Sequence, residues 1–82
     1  MGAWGSSSPA AGHAWNAYGA LLLETGDTVE ALTVLNQARE ILESALGSGH
    51  AETNAVLNNL AYGLAEQGRY VEARTLYEQA LA

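Results

Sequence analysis

Laid beside itself at an offset of 42 residues, the chain repeats. Asn16/Asn58, Leu22/Leu64, Glu24/Glu66, Gly26/Gly68, Val29/Val71, Glu30/Glu72, Ala31/Ala73, Thr33/Thr75, Gln37/Gln79 and Ala38/Ala80 are identical, ten identities in the 26 pairs from Trp15/Leu57 to Glu40/Ala82. Others are conservative, among them Trp15/Leu57, Tyr18/Leu60, Gly19/Ala61, Val34/Leu76 and Leu35/Tyr77. Two unrelated amphipathic helices would share apolar spacing but would not also align their turn glycines. The chain is a duplicated unit, and any fold it takes must use that unit twice.

Each unit reads as two helices joined by a short turn. Apolar residues recur at three- and four-residue steps and not in alternation. The only proline is Pro9. The first helix is expected from Ser8 or shortly after, with Ser8 as N-cap and Pro9 in the first turn, to about Thr25. Gly26 supplies its left-handed end. Asp27 and Glu30 have the spacing of a capping box for the second helix, which carries Ala31, Leu32, Leu35, Ala38, Ile41, Leu42 and Ala45 and stops before Gly47. A third helix is expected from near Ala51 to Gln67, ended by Gly68, and a fourth from near Tyr70 to Ala82. Residues 1–11, rich in Gly and Ser, read as a flexible segment leading into the first helix. Residues 12–82 form the two-repeat domain, with repeats at about 12–46 and 51–82. The fold class is all-α.

The spacing of small and large residues fits stacked hairpins. Gly19 and Ala61 are small where the paired helix must come close. Ala31 and Ala38, like Ala73 and Ala80, lie seven apart on one face, with Leu35 and Tyr77 filling the space between. Trp15, Tyr18 and Leu22 form the facing stripe on one first helix, and Leu57, Leu60 and Leu64 on the other.

Charge and composition narrow the partners. The chain has 82 residues, a net charge of −6 and no cysteine, so it is at most one small domain without disulfide support. Its only cations are Arg39, Arg69 and Arg74. Binding to nucleic acid needs several phosphate-neutralising cations on one face, and anionic membrane surfaces make the same demand. No nucleic-acid or membrane partner is expected. The longest apolar run, Ala20–Leu23, is far too short to span a bilayer, and no basic segment precedes an apolar run at the start. A cytoplasmic location is the expectation.

Trp15-x-x-Tyr18-Gly19-x-x-Leu22 followed by Ala31-x-x-x-Leu35 and Ala38 resembles the tetratricopeptide pattern, and Leu57-x-x-Leu60-Ala61-x-x-Leu64 with Ala73-x-x-x-Tyr77 and Ala80 is a second copy. The repeat is eight residues longer than the usual 34, the surplus lying between Arg39 and Thr53. With Leu46-Gly47-Ser48-Gly49-His50 leading into Asn58-Asn59-Leu60-Ala61, it is similar to the kinesin-light-chain variant. That loop commonly has proline after the histidine. Ala51 stands there instead, which leaves the start of the third helix less sharply defined. The resemblance implies two helical hairpins in a short right-handed stack and a non-enzymatic protein–protein interaction module.

Asn16 and Asn58 occupy equivalent places on the side of each first helix away from the second. The resemblance implies that this side lines a concave surface, where asparagine bonds the backbone of an extended peptide. Carried over residue by residue, the lining is Asn16, Ala20, Leu23 and Glu24 with Asn58, Tyr62, Ala65 and Glu66. Family members that clamp a terminal carboxylate need lysine or arginine on this surface. Glutamates stand here, so a peptide partner should be neutral, apolar or basic. A plain solvated helix face is the competing reading.

No catalytic, metal or cofactor role is expected. His13 and His50 lie in different segments without convergent ligands, and Ser6, Ser7 and Ser8 have no activating base. Met1-Gly2-Ala3-Trp4-Gly5-Ser6 fits the loose myristoylation pattern, but no polybasic second signal follows.

Stacked repeats hide their apolar faces only against neighbours, and about three are usually needed for independent stability. Two repeats leave flanks, expected at Leu21, Val71, Leu76, Tyr77 and Leu81, that favour a homo-oligomer through end-to-end stacking or helix exchange. The alternative function is a structural self-assembly unit, homo-oligomer or filament, with the chain either whole or a fragment or engineered piece of a longer repeat protein.

Overall fold

In the computed structural model, which describes residues 8–82, the chain is four antiparallel-connected helices: α1 (Pro9–Glu24), α2 (Thr28–Leu46), α3 (Ala51–Glu66) and α4 (Tyr70–Leu81). Among the described residues there is no strand. Each hairpin closes on itself, α1 on α2 and α3 on α4, and the hairpins join where α2 lies against α3, with a lighter contact between α1 and α3. The order expected from the repeat is the order found. Residues 9–11, at the end of the segment read as flexible, are already helical. Met1–Ser7, with the lipidation pattern, lies outside the described residues.

The helix ends show why the two turns match. After α1, Asp27 N–H donates to the Leu22 carbonyl (2.8 Å) and Gly26 N–H to that of Leu23 (3.2 Å). After α3, Arg69 N–H donates to Leu64 (2.9 Å) and Gly68 N–H to Ala65 (2.9 Å). Gly26 at φ 86° and Gly68 at φ 79° take the left-handed position this termination requires, a conformation open to glycine at little cost. At the other end, Ser8 accepts from Ala11 N–H at 3.1 Å, as its N-cap role demands.

Two local expectations are corrected. Asp27 and Glu30 do not form a capping box: Asp27 makes no side-chain cap bond and accepts instead from the Thr25 hydroxyl at 2.8 Å. Its backbone (φ −86°, ψ 62°) is not the extended form that points an N-cap carboxylate at the helix. Glu30 is drawn to the Tyr18 hydroxyl, which donates to it at 3.4 Å. The start of α3, expected to be less sharply defined without a proline, is held twice. His50 Nδ1 accepts from Glu52 N–H at 3.2 Å, and fully buried Thr53 donates to the Gly47 carbonyl at 3.0 Å.

The core runs along the seam of the two hairpins: Leu22, Ala31, Val34, Leu35, Ala38, Leu42, Val56 and Leu60, with a smaller cluster of Ala61, Leu64 and Ala73 between α3 and α4. Small residues permit the close approach, as their spacing predicts. Helical Gly19 lies directly under the fully buried Leu35.

The facing stripes are not equivalent, and here the sequence reading is corrected again. Leu57 and Leu60 are 5% and 2% exposed, whereas their counterparts Trp15 and Tyr18 are 37% and 43% exposed. The reason is the neighbour. α2 covers that side of α3, and among the described residues no helix covers that side of α1. Trp15 and Tyr18 instead lean on one another, ring centroids 6.5 Å apart.

Candidate functional site

Because α1 and α3 are the first helices of successive hairpins, they run side by side and leave a shallow hollow between them. It measures about 270 Å³ and is lined by Ala20, Leu23, Glu24, Asn59 and Tyr62. Four of the eight residues expected on the concave face, Ala20, Leu23, Glu24 and Tyr62, meet there. Leu23 forms its half-buried floor and also touches the position where Gly63 has no side chain.

The other four are placed differently. Asn16 is bound to the neighbouring helix, accepting from Asn59 Nδ2 at 2.9 Å. Asn58, its sequence counterpart, is exposed and does not line the hollow. Ala65 packs half-buried against the Ala61, Leu64 and Ala73 cluster beneath α4. Glu66 stands one turn beyond Tyr62, outside the lining itself. Its negative charge, then its hydrogen bond, hold the Tyr62 phenol above the ordinary tyrosine value, with smaller contributions from burial and from Tyr77.

Asn59 is the residue the sequence reading missed. Identity with Asn16 drew attention to Asn58, but the cross-helix contact joins residues 43 apart in sequence, not 42. One residue turns a helix by about 100°, enough to exchange the two asparagines between groove and solvent. The adjacent pair Asn58-Asn59 was the available signal.

The electrostatics of the hollow are one-sided. Glu24 and Glu66 are the last residues of α1 and α3, where the backbone carbonyl ends already carry negative character. Among the described residues no cation offsets them. Arg39 pairs with Glu43 (3.5 Å), Arg69 with Glu72 (2.7 Å) and Arg74 with Glu78 (3.2 Å), and none of the three lines the hollow. The Arg69 pair is two-pronged, with a second bond at 3.0 Å. It holds the Glu72 carboxyl below the usual range and the guanidinium above its own.

The sequence model of the tetratricopeptide repeat matches residues 11–82, on the helices whose pairing has just been described. The chain belongs to the tetratricopeptide repeat family. No curated protein matches it. Membership implies a protein–protein interaction module with protein partners, and tetratricopeptide repeats are generally non-enzymatic.

In this tetratricopeptide pair the residues expected to form bare flanks divide. Leu81, Val71, Leu21 and Tyr77 are exposed, Leu81 most of all at 86%. Leu76 is corrected: it lies half-buried against both apolar clusters, because α4 turns it toward α2 and α3. With Leu32, Leu60 and Leu64 it lines a second depression of about 390 Å³ between those helices. No described helix is long and apolar enough to cross a membrane. Among the described residues no three His, Cys, Asp or Glu side chains converge as metal ligands. His13 faces Glu52 of α3 at 3.5 Å.

Proposed function

We propose that this tetratricopeptide pair binds an extended peptide segment of a partner protein across the hollow between α1 and α3, and that the segment is apolar with basic side chains. The observation that supports it most is the pairing of an apolar floor, Ala20 and Leu23, with the Glu24 carboxylate at its edge and Glu66 one turn beyond Tyr62, both at helix C-termini and neither with a cationic partner among the described residues. Such placement costs the free chain stability, and a lysine or arginine from outside relieves it. Asn59 and the Tyr62 phenol supply hydrogen-bonding groups for a peptide backbone, and the Tyr62 ring offers a face for a cation.

A direct test uses two synthetic peptides of equal length, one alternating leucine with lysine and the other leucine with glutamate. The first is expected to bind, more weakly as salt rises, and the second not to. Glu24→Gln and Tyr62→Ala should each weaken binding of the first several-fold while the helical circular dichroism is unchanged. Equal binding of both peptides, or binding indifferent to both substitutions, refutes the reading.

A second reading, a self-assembling structural unit, is favoured by the exposed Trp15 and Tyr18 on α1 and Tyr77 and Leu81 on α4. Under it the partner is another copy of the chain, and a foreign peptide adds nothing to its solution mass.

A further inference from the structure

One face of the repeat can be read twice. In α3, Val56, Leu60 and Gly63 lie at the seam with α2 and are buried. Their counterparts 42 residues earlier, Ala14, Tyr18 and Leu21, are exposed on the outer side of α1, Leu21 at 55%. By its correspondence with α3, this is a face that takes a helix.

A second copy could bring α4 to it, head to tail, in the way α2 meets α3. The side chains oppose this. At the internal seam Leu32 enters the space left by Gly63, where a β-carbon would come within 2.8 Å of Leu32 Cδ2. In a head-to-tail pair the corresponding residues are Arg74 and Leu21: a long charged side chain meets a leucine where the seam needs emptiness.

We propose that two copies meet instead by α1 against α1 about a two-fold axis. Ala11, Ala14, Trp15 and Tyr18 line a shallow hollow of about 300 Å³ on this face. Small and aromatic residues share one stripe, so an antiparallel partner sets its rings over the other copy's alanines, and the surface complements itself. Charge points the same way. Each copy carries −6, yet α1 from Pro9 to Leu23 contains no Asp, Glu, Lys or Arg. The nearby Glu30 carboxylate is engaged by the Tyr18 hydroxyl. When like-charged copies meet here, α1 from Pro9 to Leu23 itself sets no carboxylate against its partner. A helix face about 24 Å long is small for an interface, so the dimer is weak and concentration-dependent.

Sedimentation equilibrium of the full chain, from low micromolar to millimolar, tests this. The mass should rise from one chain to two and stop. Ala14→Glu and Leu21→Glu should each raise the dimer dissociation constant at least about tenfold with helical content unchanged, while Leu81→Glu leaves it alone. Should either substitution disturb folding, cysteine placement decides, since the chain has no cysteine of its own. Oxidised Ala14→Cys should cross-link into dimers and Leu81→Cys should not. A single-chain mass throughout, growth beyond two chains, loss of the dimer only in Leu81→Glu, or dimerisation only after removal of residues 1–7 would each overturn the proposal.

Discussion

Leu35 closes over Gly19 so tightly that a β-carbon on the glycine would lie 2.4 Å from Leu35 Cδ2 and 2.5 Å from its Cγ. Leu35 is fully buried and cannot swing aside. Gly19→Ala therefore gains up to about 1 kcal/mol of helix propensity but meets an overpacking cost of about 1–3 kcal/mol. The expected outcome is a net loss of stability in urea unfolding. Gly63→Ala provides the contrast. The atoms in its way are the tips of two half-buried side chains, Leu32 at 2.8 Å and Leu23 at 3.2 Å, so this substitution should cost less than Gly19→Ala.

Leu60 and Tyr18 hold the same place in the two repeats and should respond differently. Leu60→Ala empties a core position and is expected to cost about 2–5 kcal/mol. Tyr18→Ala removes a side chain that is 43% exposed and should cost about 1 kcal/mol. Chemical denaturation of the two variants, at a concentration where the chain is monomeric, checks the difference. Equal losses would mean that α1 has a cover on its outer side.

The caps make a similar pair. Ser8 accepts from Ala11 N–H, so Ser8→Ala should destabilise the start of α1 by about 0.5–2 kcal/mol. Asp27 makes no such bond to α2, and Asp27→Ala should cost less. Amide hydrogen exchange over the first turn of each helix distinguishes the two.

Two titrations carry a sign. The Glu72 carboxyl is depressed, first by its hydrogen bond from Arg69. The contribution of this pair is therefore present above the ordinary carboxylate range and lost as pH falls through the lowered value. Tyr62 is raised, first by the Glu66 charge, so the fold holds its phenol proton longer than the unfolded chain does. Stability should then decline as pH climbs from the ordinary phenol value through the raised one. Tyrosinate absorbance compared with Tyr62→Phe isolates this group, and Glu66→Gln should bring it back toward its usual value.

Most of the fold was legible because the repeat is carried by local signals: glycines at the turns, small residues at close approaches and three–four apolar spacing. What the sequence hid depends on neighbours. Trp15 and Leu57 are interchangeable as letters, and only the presence of α2 beside one of them makes it core. Leu76 looks like a bare flank on the pattern of α4 alone, and only α2 and α3 beneath it make it half-buried. Asn59 escaped because the groove depends on how α1 and α3 face each other, which differs from the sequence offset by one residue. Asp27 and Glu30 kept capping spacing but found nearer partners in the Thr25 and Tyr18 hydroxyls.

The concave hollow is tested most directly by titrating the isotopically labelled chain with the leucine–lysine peptide and following its amide resonances. The expected result is shifts centred on Ala20, Leu23, Glu24, Asn59 and Tyr62, abolished by Glu24→Gln combined with Tyr62→Ala. Shifts confined to α2 and α4, or none at saturating peptide, would contradict it.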